Sequence, residues 1–380
     1  MNTLPLSLYI HTPWCIKKCP YCDFNSHTLQ AELPEAAFLE ALLEDLTNDL
    51  AYVQGRTLQS IFIGGGTPSL LSAGFYRRLL KEIAARIVFS PDIEITLEAN
   101  PGTFEQAKFA GFREAGINRL SVGVQSFSAS HLQALGRIHN EHEASHALRQ
   151  ARAVGFDNIN IDLMFALPQQ SIEQALHDLA VAKALEPEHI SWYQLTLEPN
   201  TYFFKHPPLL PDDDYAWEMQ QQGQVFLAKA TYANYEISAY AREGYRARHN
   251  LNYWTFGDYL GIGPGAHGKI SLPEPFRVKR YWKTRLPQDY LNPDKAYLAD
   301  QRFVSNQDLA FEYMLNALRL VEGASWPAFS ERTHLNRADI APIVDELLQQ
   351  GLLQEKGLAF QPTARGHQYL NFMLEKFLPD

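Results

Sequence analysis

Cysteine is nearly absent from this 380-residue chain: there are three, all within the eight residues from Cys15 to Cys22. An odd and wholly local set of thiols builds no disulfide framework, so these thiols serve chemistry rather than cross-linking. Long apolar runs are missing too. No window approaches the roughly 18 uninterrupted apolar residues that a membrane span requires. The first ten residues lack a basic leader, and Pro13 and Trp14 arrive before any small-residue cleavage site. The expectation is a cytoplasmic protein with an early first strand. The formal charge of −10 carries no long block of one sign, which leaves nothing to draw the surface onto nucleic acid or anionic lipid. A small-molecule or protein partner is expected instead. There is no internal repeat and no low-complexity tract.

What is present is a chain able to bury one large core and carry a smaller appendage. Short apolar runs rich in β-branched or aromatic residues recur at Leu6 to Ile10, Ser60 to Ile63, Ile93 to Glu98, Arg119 to Gln125, Asn158 to Leu163 and Ile190 to Thr196. Helical patterns separate them, such as the stripe Phe38, Leu39, Leu42, Leu43, Leu46 and Leu50 after Pro34, and Phe75, Leu79, Leu80, Ile83 and Ile87. Helices between strands are the crossovers that parallel strands need. In three strands apolar and polar residues alternate: Ile93, Ile95 and Leu97 with Glu94, Thr96 and Glu98, and likewise in Arg119 to Gln125 and Asn158 to Leu163. If helices cover the apolar face, the polar face lines a concave, partly hydrated interior, as in a partial (β/α)6 TIM-like barrel. A further strand is expected over Tyr235 to Ala239. From about Ser305 the chain turns helical, and Ile340 to Leu348 followed by Gly351-Leu352-Leu353 predicts a small, mainly helical, winged-helix-like domain. The expected division is a barrel over 1–240, an extension over 241–304 and a C-terminal domain over 305–380.

Cys15, Cys19 and Cys22 stand at spacing C-x3-C-x2-C directly after the first strand. A structural zinc site or an ordinary electron-transfer cluster wants four ligands, so three thiolates on a [4Fe-4S] cluster leave one iron open. S-adenosylmethionine can chelate such an iron through its amino and carboxylate groups. A zinc site completed by His11 or His27, or inert core thiols, are the alternatives. One strand later, Gly64-Gly65-Gly66-Thr67-Pro68 offers backbone amides to a polar ligand, and Gly65 and Gly66 suit the methionine end of the cofactor. Glu98, Gln125 and Asp162 end the polar faces of their strands, and Arg137 could pair with a carboxylate in the same cavity.

The strings YIHTPWCIKKCPYCDFNS, GGGTPS, LEANPG, GVQSF and NIDLMFALPQQS resemble the oxygen-independent coproporphyrinogen dehydrogenase superfamily of radical S-adenosylmethionine proteins, over essentially the whole chain. By that resemblance Tyr9, Tyr21, Gly65 and Glu98 contact a cluster-bound cofactor. Gly66, Thr67, Gln125, Arg137 and Asp162 correspond to positions that hold a second cofactor molecule in the dehydrogenase. Two departures point away from that reaction: Phe24 replaces a fourth cysteine, and the dehydrogenase's longer N-terminal extension is not seen before Tyr9. Instead His249-Asn250-Leu251-Asn252-Tyr253-Trp254 matches the H-N-x-x-Y-W signature of the superfamily's haem chaperones, implying haem contacts from His249, Asn250, Tyr253 and Trp254. A histidine can ligate haem iron while tyrosine and tryptophan supply flat apolar surface. His267, in the glycine-rich run 261–268 read as a tight loop, is a second candidate ligand. The resemblance implies haem binding and delivery to acceptor apoproteins, respiratory ones among them, with transient membrane contact and a homodimer as further expectations. A radical oxidase acting on coproporphyrinogen III or another tetrapyrrole is the alternative, and an iron–sulfur sensor a third.

Overall fold

The protein is described from a computed structural model covering residues 4–102, 106–137 and 139–379. Six strands, β1 (Leu6–Thr12), β2 (Leu58–Gly65), β3 (Phe89–Ala99), β4 (Arg119–Gln125), β5 (Ile159–Phe165) and β6 (His189–Gln194), run parallel in chain order. Each is followed by a helix, the first five being crossovers: α1 (Glu35–Asp49), α2 (Ala73–Ala84), α3 (Phe109–Glu114), α4 (Glu141–Ala153), α5 (Ile172–Ala184) and α6 (Asp213–Lys229). This is the expected partial (β/α)6 barrel. The helices start where the chain supplies caps: Asn140 and Ser171 each form a capping box, and Ser72 accepts from the Phe75 amide. The apolar stripe of α1, Phe38, Leu42 and Leu46, is buried together with Leu6, Leu8 and Ile10 of β1.

The polar faces of the strands depart from expectation. Toward their starts they are buried and form a hydrogen-bond network. Ser7 meets Ser60 at 2.8 Å, and Asn160 donates to Ser121 Oγ at 2.7 Å. His189 lies between Asn160 Oδ1 and the Tyr235 hydroxyl at 2.6 and 2.8 Å. These groups have found neighbours in place of water, as burial demands, whereas Arg119 Nε and Asn158 Oδ1 nearby have none. The C-terminal ends of the strands open onto a cavity.

Beyond β6 the sheet continues. The run expected as one strand over Tyr235 to Ala239 is a hairpin, β7 (Ala233–Glu236) and β8 (Ala239–Ala241), because Glu236 accepts from the Ser238 amide and hydroxyl and turns the chain. Helix α7 (Arg248–Trp254) then leads into β9 (Asp258–Ile262), which pairs in parallel with the free edge of β1. Three antiparallel strands, β10 (His267–Pro273), β11 (Phe276–Lys283) and β12 (Leu298–Phe303), complete a 12-stranded sheet. The tight loop expected over 261–268 therefore shrinks to residues 263–266, with its flanks in β9 and β10. Gly261 is needed because a Cβ there would lie 2.0 Å from the His267 carbonyl oxygen.

The C-terminal region builds its own core. Helices α8 (Asn306–Ala317), α9 (Trp326–Thr333) and α10 (Ala341–Gln349) and a small sheet of Ala324–Ser325, Leu353–Lys356 and Ala359–Pro362 enclose Leu309, Phe329, Val344 and Phe360. Phe256 and Val278 of the main body enter the same cluster. Among the described residues no helix is long and apolar enough to cross a membrane.

Candidate functional site

The three cysteines occupy a loop pinned at both ends. After β1 the chain forms a two-residue strand, Trp14–Cys15, that pairs with His27–Thr28. Inside, the Cys22 amide donates to the Cys19 carbonyl at 3.2 Å, and Lys18 Nζ donates to the carbonyls of Phe24 and Ser26. All three thiols are free. Burial pushes the thiols of Cys15 and Cys22 up, so a partner of positive charge is needed to hold them as thiolates. Among the described residues no three His, Cys, Asp or Glu side chains converge on one ion-sized position. The three cysteines instead line one cleft of about 260 Å³. That donor set suits a cluster of several irons better than a single zinc ion.

The same cleft gathers Tyr21, Gly65, Gly66, Thr67, Glu98, Gln125, Arg137 and Asp162. Sheet register explains the gathering: Glu98 stands beside Ser121, and Gly123 beside Asp162, at the ends of β3, β4 and β5. The Gly66 and Thr67 amides are tied to the carbonyls of Thr12 and Trp14 at 2.6 and 2.7 Å, which fixes the glycine loop against the cysteine loop. Gly65 has a φ of +113° and donates its N–H to Glu98 Oε2 at 3.0 Å. Burial first, and the nearby Asp162 second, push the Glu98 carboxyl up to about 8. Burial likewise raises Asp162, which accepts from Ser121 and Asn160 at 3.0 and 2.8 Å.

Arg137 contacts Cys19 Sγ at 3.7 Å and donates to Asn100 Oδ1 at 3.1 Å and to the Gly123 carbonyl. Among the described residues no carboxylate pairs with it, and its buried Nε has no partner. A cation without a counter-ion beside three thiols fits an anionic occupant, such as a thiolate-bound cluster or a ligand carboxylate. Tyr193 and Asn100 are among the lining residues not anticipated from the sequence. Tyr193, whose hydroxyl donates to Gln125 Oε1 at 2.7 Å, sits inside an apolar run, and Asn100 gave its signal only as part of LEANPG.

Tyr9 is the exception. It stands on the same inward face of β1 as Ser7 and stacks on Phe62, its hydroxyl meets His11 Nδ1 at 2.9 Å, and it lines a neighbouring cleft of about 510 Å³. Phe24, 57% exposed, lines both clefts.

The HNLNYW segment is helix α7. Its first amides, those of Arg248 and His249, donate to Glu94 of β3, both at 3.2 Å. His249 is 1% exposed, its Nδ1 2.9 Å from Ser60 Oγ and its Nε2 2.8 Å from the Tyr253 hydroxyl. Neither nitrogen is free for iron in this conformation, and burial lowers the ring's pKa to about 3. Tyr253 lines the second cleft beside Tyr259. Trp254 lies in a smaller adjoining pocket with Arg319 over its ring at 4.3 Å, and Asn250 makes no side-chain hydrogen bond among the described residues. His267 is exposed and lines the second cleft.

Two family models match the chain, the radical SAM superfamily over residues 9–181 and the HemN C-terminal domain over residues 304–369. Over 376 residues, 99% of each chain, it is 51% identical to "Heme chaperone HemW" of Escherichia coli. It is 49% identical over 380 residues to "Heme chaperone HemW" of Haemophilus influenzae, covering 99% of this chain and 98% of that one. Among solved structures, coproporphyrinogen III oxidase (HemN) from Escherichia coli superposes with a TM-score of 0.83 over 99% of this chain and 91% of that one, at 23% identity, so the fold is shared.

Proposed function

Since the chain belongs to the HemW family of radical SAM proteins, we propose that it binds haem and delivers it to haem-accepting apoproteins. Full-length identity of 51% with a protein named a heme chaperone carries this reading. The superfamily implies a [4Fe-4S] cluster and S-adenosylmethionine. Cys15, Cys19 and Cys22 would hold the cluster, which supplies one-electron chemistry and an open iron for the amino and carboxylate groups of S-adenosylmethionine. Around it the chain's residues bind and orient. Arg137 offers fixed positive charge, the glycine loop offers backbone approach, and Gln125 and Asp162 offer hydrogen bonds to polar ligand edges. Glu98, protonated near neutrality by burial, gives up its proton when a cation enters.

Phe24 supports a chaperone over a porphyrinogen dehydrogenase, because an exposed phenyl ring occupies the cleft wall where the dehydrogenase pattern carries a thiol. The complete set of polar groups in the cysteine cleft supports the second reading, radical oxidation of coproporphyrinogen III or another tetrapyrrole. We place the protein in the cytoplasm, with apo-haemoproteins, respiratory ones among them, as recipients, and with the cluster serving structure, dimerisation or regulation.

Anaerobic reconstitution of the cluster, followed by haem titration and incubation with coproporphyrinogen III and S-adenosylmethionine, separates the readings. Stoichiometric haem binding without porphyrinogen turnover is expected. Turnover would refute the chaperone, and normal cluster absorbance in Cys19→Ala would refute the ligand set.

A further inference from the structure

We infer that His267, rather than the HNLNYW histidine, is the axial ligand to haem iron, and that His249 is a positioning residue that holds Tyr253 in the wall of the haem cleft. This rests on the haem-binding reading above and names the site for it.

An iron ligand must be a neutral imidazole with a free nitrogen that a large planar molecule can reach. His11 and His267 line the second cleft, and His27 and His249 contact residues that line it. His11 is 5% exposed and has both nitrogens engaged, by the Tyr9 hydroxyl and the Asn25 carbonyl, each at 2.9 Å. His249 is engaged at both nitrogens in the same way. His27 has its Nε2 3.2 Å from Asn25 Oδ1 and does not line the cleft. His267 differs from all three: it is exposed, it lines the cleft, and it makes no side-chain hydrogen bond among the described residues. Its ring stacks on Trp282 at 6.1 Å between centroids and 26° between planes. Burial, then Arg280 and Arg285, lower its pKa, which favours the neutral ring near pH 7.

The rest of the cleft has the chemistry of a metallotetrapyrrole with carboxylate arms. At about 510 Å³ it falls within the ~300–1,000 Å³ range of cofactor and ligand pockets. Phe24, Tyr253, Tyr259 and Trp282 supply aromatic surface, and no acidic residue lines it. Lys283 is turned away toward Asp45 and Asp49, at 2.5 and 2.8 Å, so it is already neutralised. Arg285 is exposed and makes no side-chain hydrogen bond or ion pair among the described residues, which leaves its guanidinium for a carboxylate. His249 completes the arrangement from behind. Anchored on Ser60, it holds the Tyr253 hydroxyl, and Tyr253 meets Tyr259 edge-on at 4.5 Å.

The test is titration of the full-length, cluster-reconstituted protein with ferric haem and, separately, with metal-free protoporphyrin IX, followed by absorption and electron paramagnetic resonance. His267→Ala is expected to lose the spectral signature of imidazole-bound iron and to bind haem roughly tenfold more weakly, with metal-free porphyrin affinity unchanged. Free imidazole should restore the signature in His267→Gly. His249→Ala should keep the imidazole signature and weaken haem and metal-free porphyrin alike, and Tyr253→Phe should reproduce that behaviour. An unchanged haem spectrum in His267→Ala, or loss of the signature in His249→Ala alone, overturns the assignment while leaving haem binding intact. Failure of the wild-type protein to bind haem overturns the proposed function instead, and this assignment with it.

Discussion

Glu98 stands on the inner end of β3 with one backbone N–H, that of Gly65, as its partner and with Asp162 as a like-charged neighbour. Its pKa of about 8 lies above the ordinary carboxylate value, so folding favours the protonated form. The stability this contributes is fully present below the unfolded-state pKa, roughly 4.3, and is lost as pH rises through about 8. Glu98→Gln keeps an acceptor for Gly65 and removes the charge. In cluster-free protein the variant should therefore melt with wild type near pH 4 and above it at pH 8, as differential scanning calorimetry at the two pH values would record. Equal melting temperatures at pH 8 would mean that solvent or a counter-ion already relieves the carboxylate. At this scale much of the site was legible: strict alternation placed Glu98, Gln125 and Asp162 on one face, and three isolated cysteines declared themselves by composition. Tyr193 was hidden because tyrosine in a run such as Ile190 to Thr196 carries the same signal whether it packs in a core or aims its hydroxyl at an amide. The burial of His249 was not legible because it depends on Ser60 and Glu94, more than 150 positions away in the chain.

Helix α7 is short, seven residues, and its first amides depend on Glu94 rather than on a side-chain cap of its own. Removing that carboxylate with Glu94→Ala leaves two amides at the helix start without their acceptor, at a cost of about 1–2 kcal/mol. Amide exchange across residues 248–254 should accelerate by roughly 5–30-fold, with exchange in α1 and α2 unchanged, as mass spectrometry of labelled peptides would resolve. Among the elements, the β/α alternation of the first half was readable because each strand's apolar face is covered by a helix with a matching stripe. Strands β9 to β12 were not. Asp258, Lys269 and Lys283 look like surface charges in the sequence, yet all three are buried and paired: Asp258 with Lys269 at 3.1 Å and with Arg56 at 2.7 Å, Lys283 with Asp45 and Asp49. Every residue of β12 is exposed, so that edge strand has no apolar face to announce it. A strand defined by ion pairs to distant residues, or by backbone pairing alone, leaves no periodicity to read.

For the whole molecule, the C-terminal region is a structural part of the body that carries the clefts. Phe256 and Val278 lie in its core, Glu312 receives Arg280 and Arg302 at 2.8 and 3.1 Å, and Arg319 reaches Glu236 at 3.4 Å. A chain ending at residue 303 would expose that apolar surface and free Arg280, which also supports the Tyr259 hydroxyl at 2.8 Å. Such a truncation should aggregate or bind a hydrophobic dye strongly, whereas a monodisperse, dye-silent product on size exclusion would show that the main body stands alone. The pairing of β9 with β1 also sets an order of events during synthesis. The strand that leads into the thiol loop gains its second neighbour only when residues 258–262 have left the ribosome. At ~5–20 residues per second, that is roughly 12–50 seconds after β1 itself. From the emergence of β2 to that of β9 the nascent chain presents its cysteines at the end of an edge strand supported from one side, so cluster delivery within that interval would meet a half-built cradle, and later delivery a closed one.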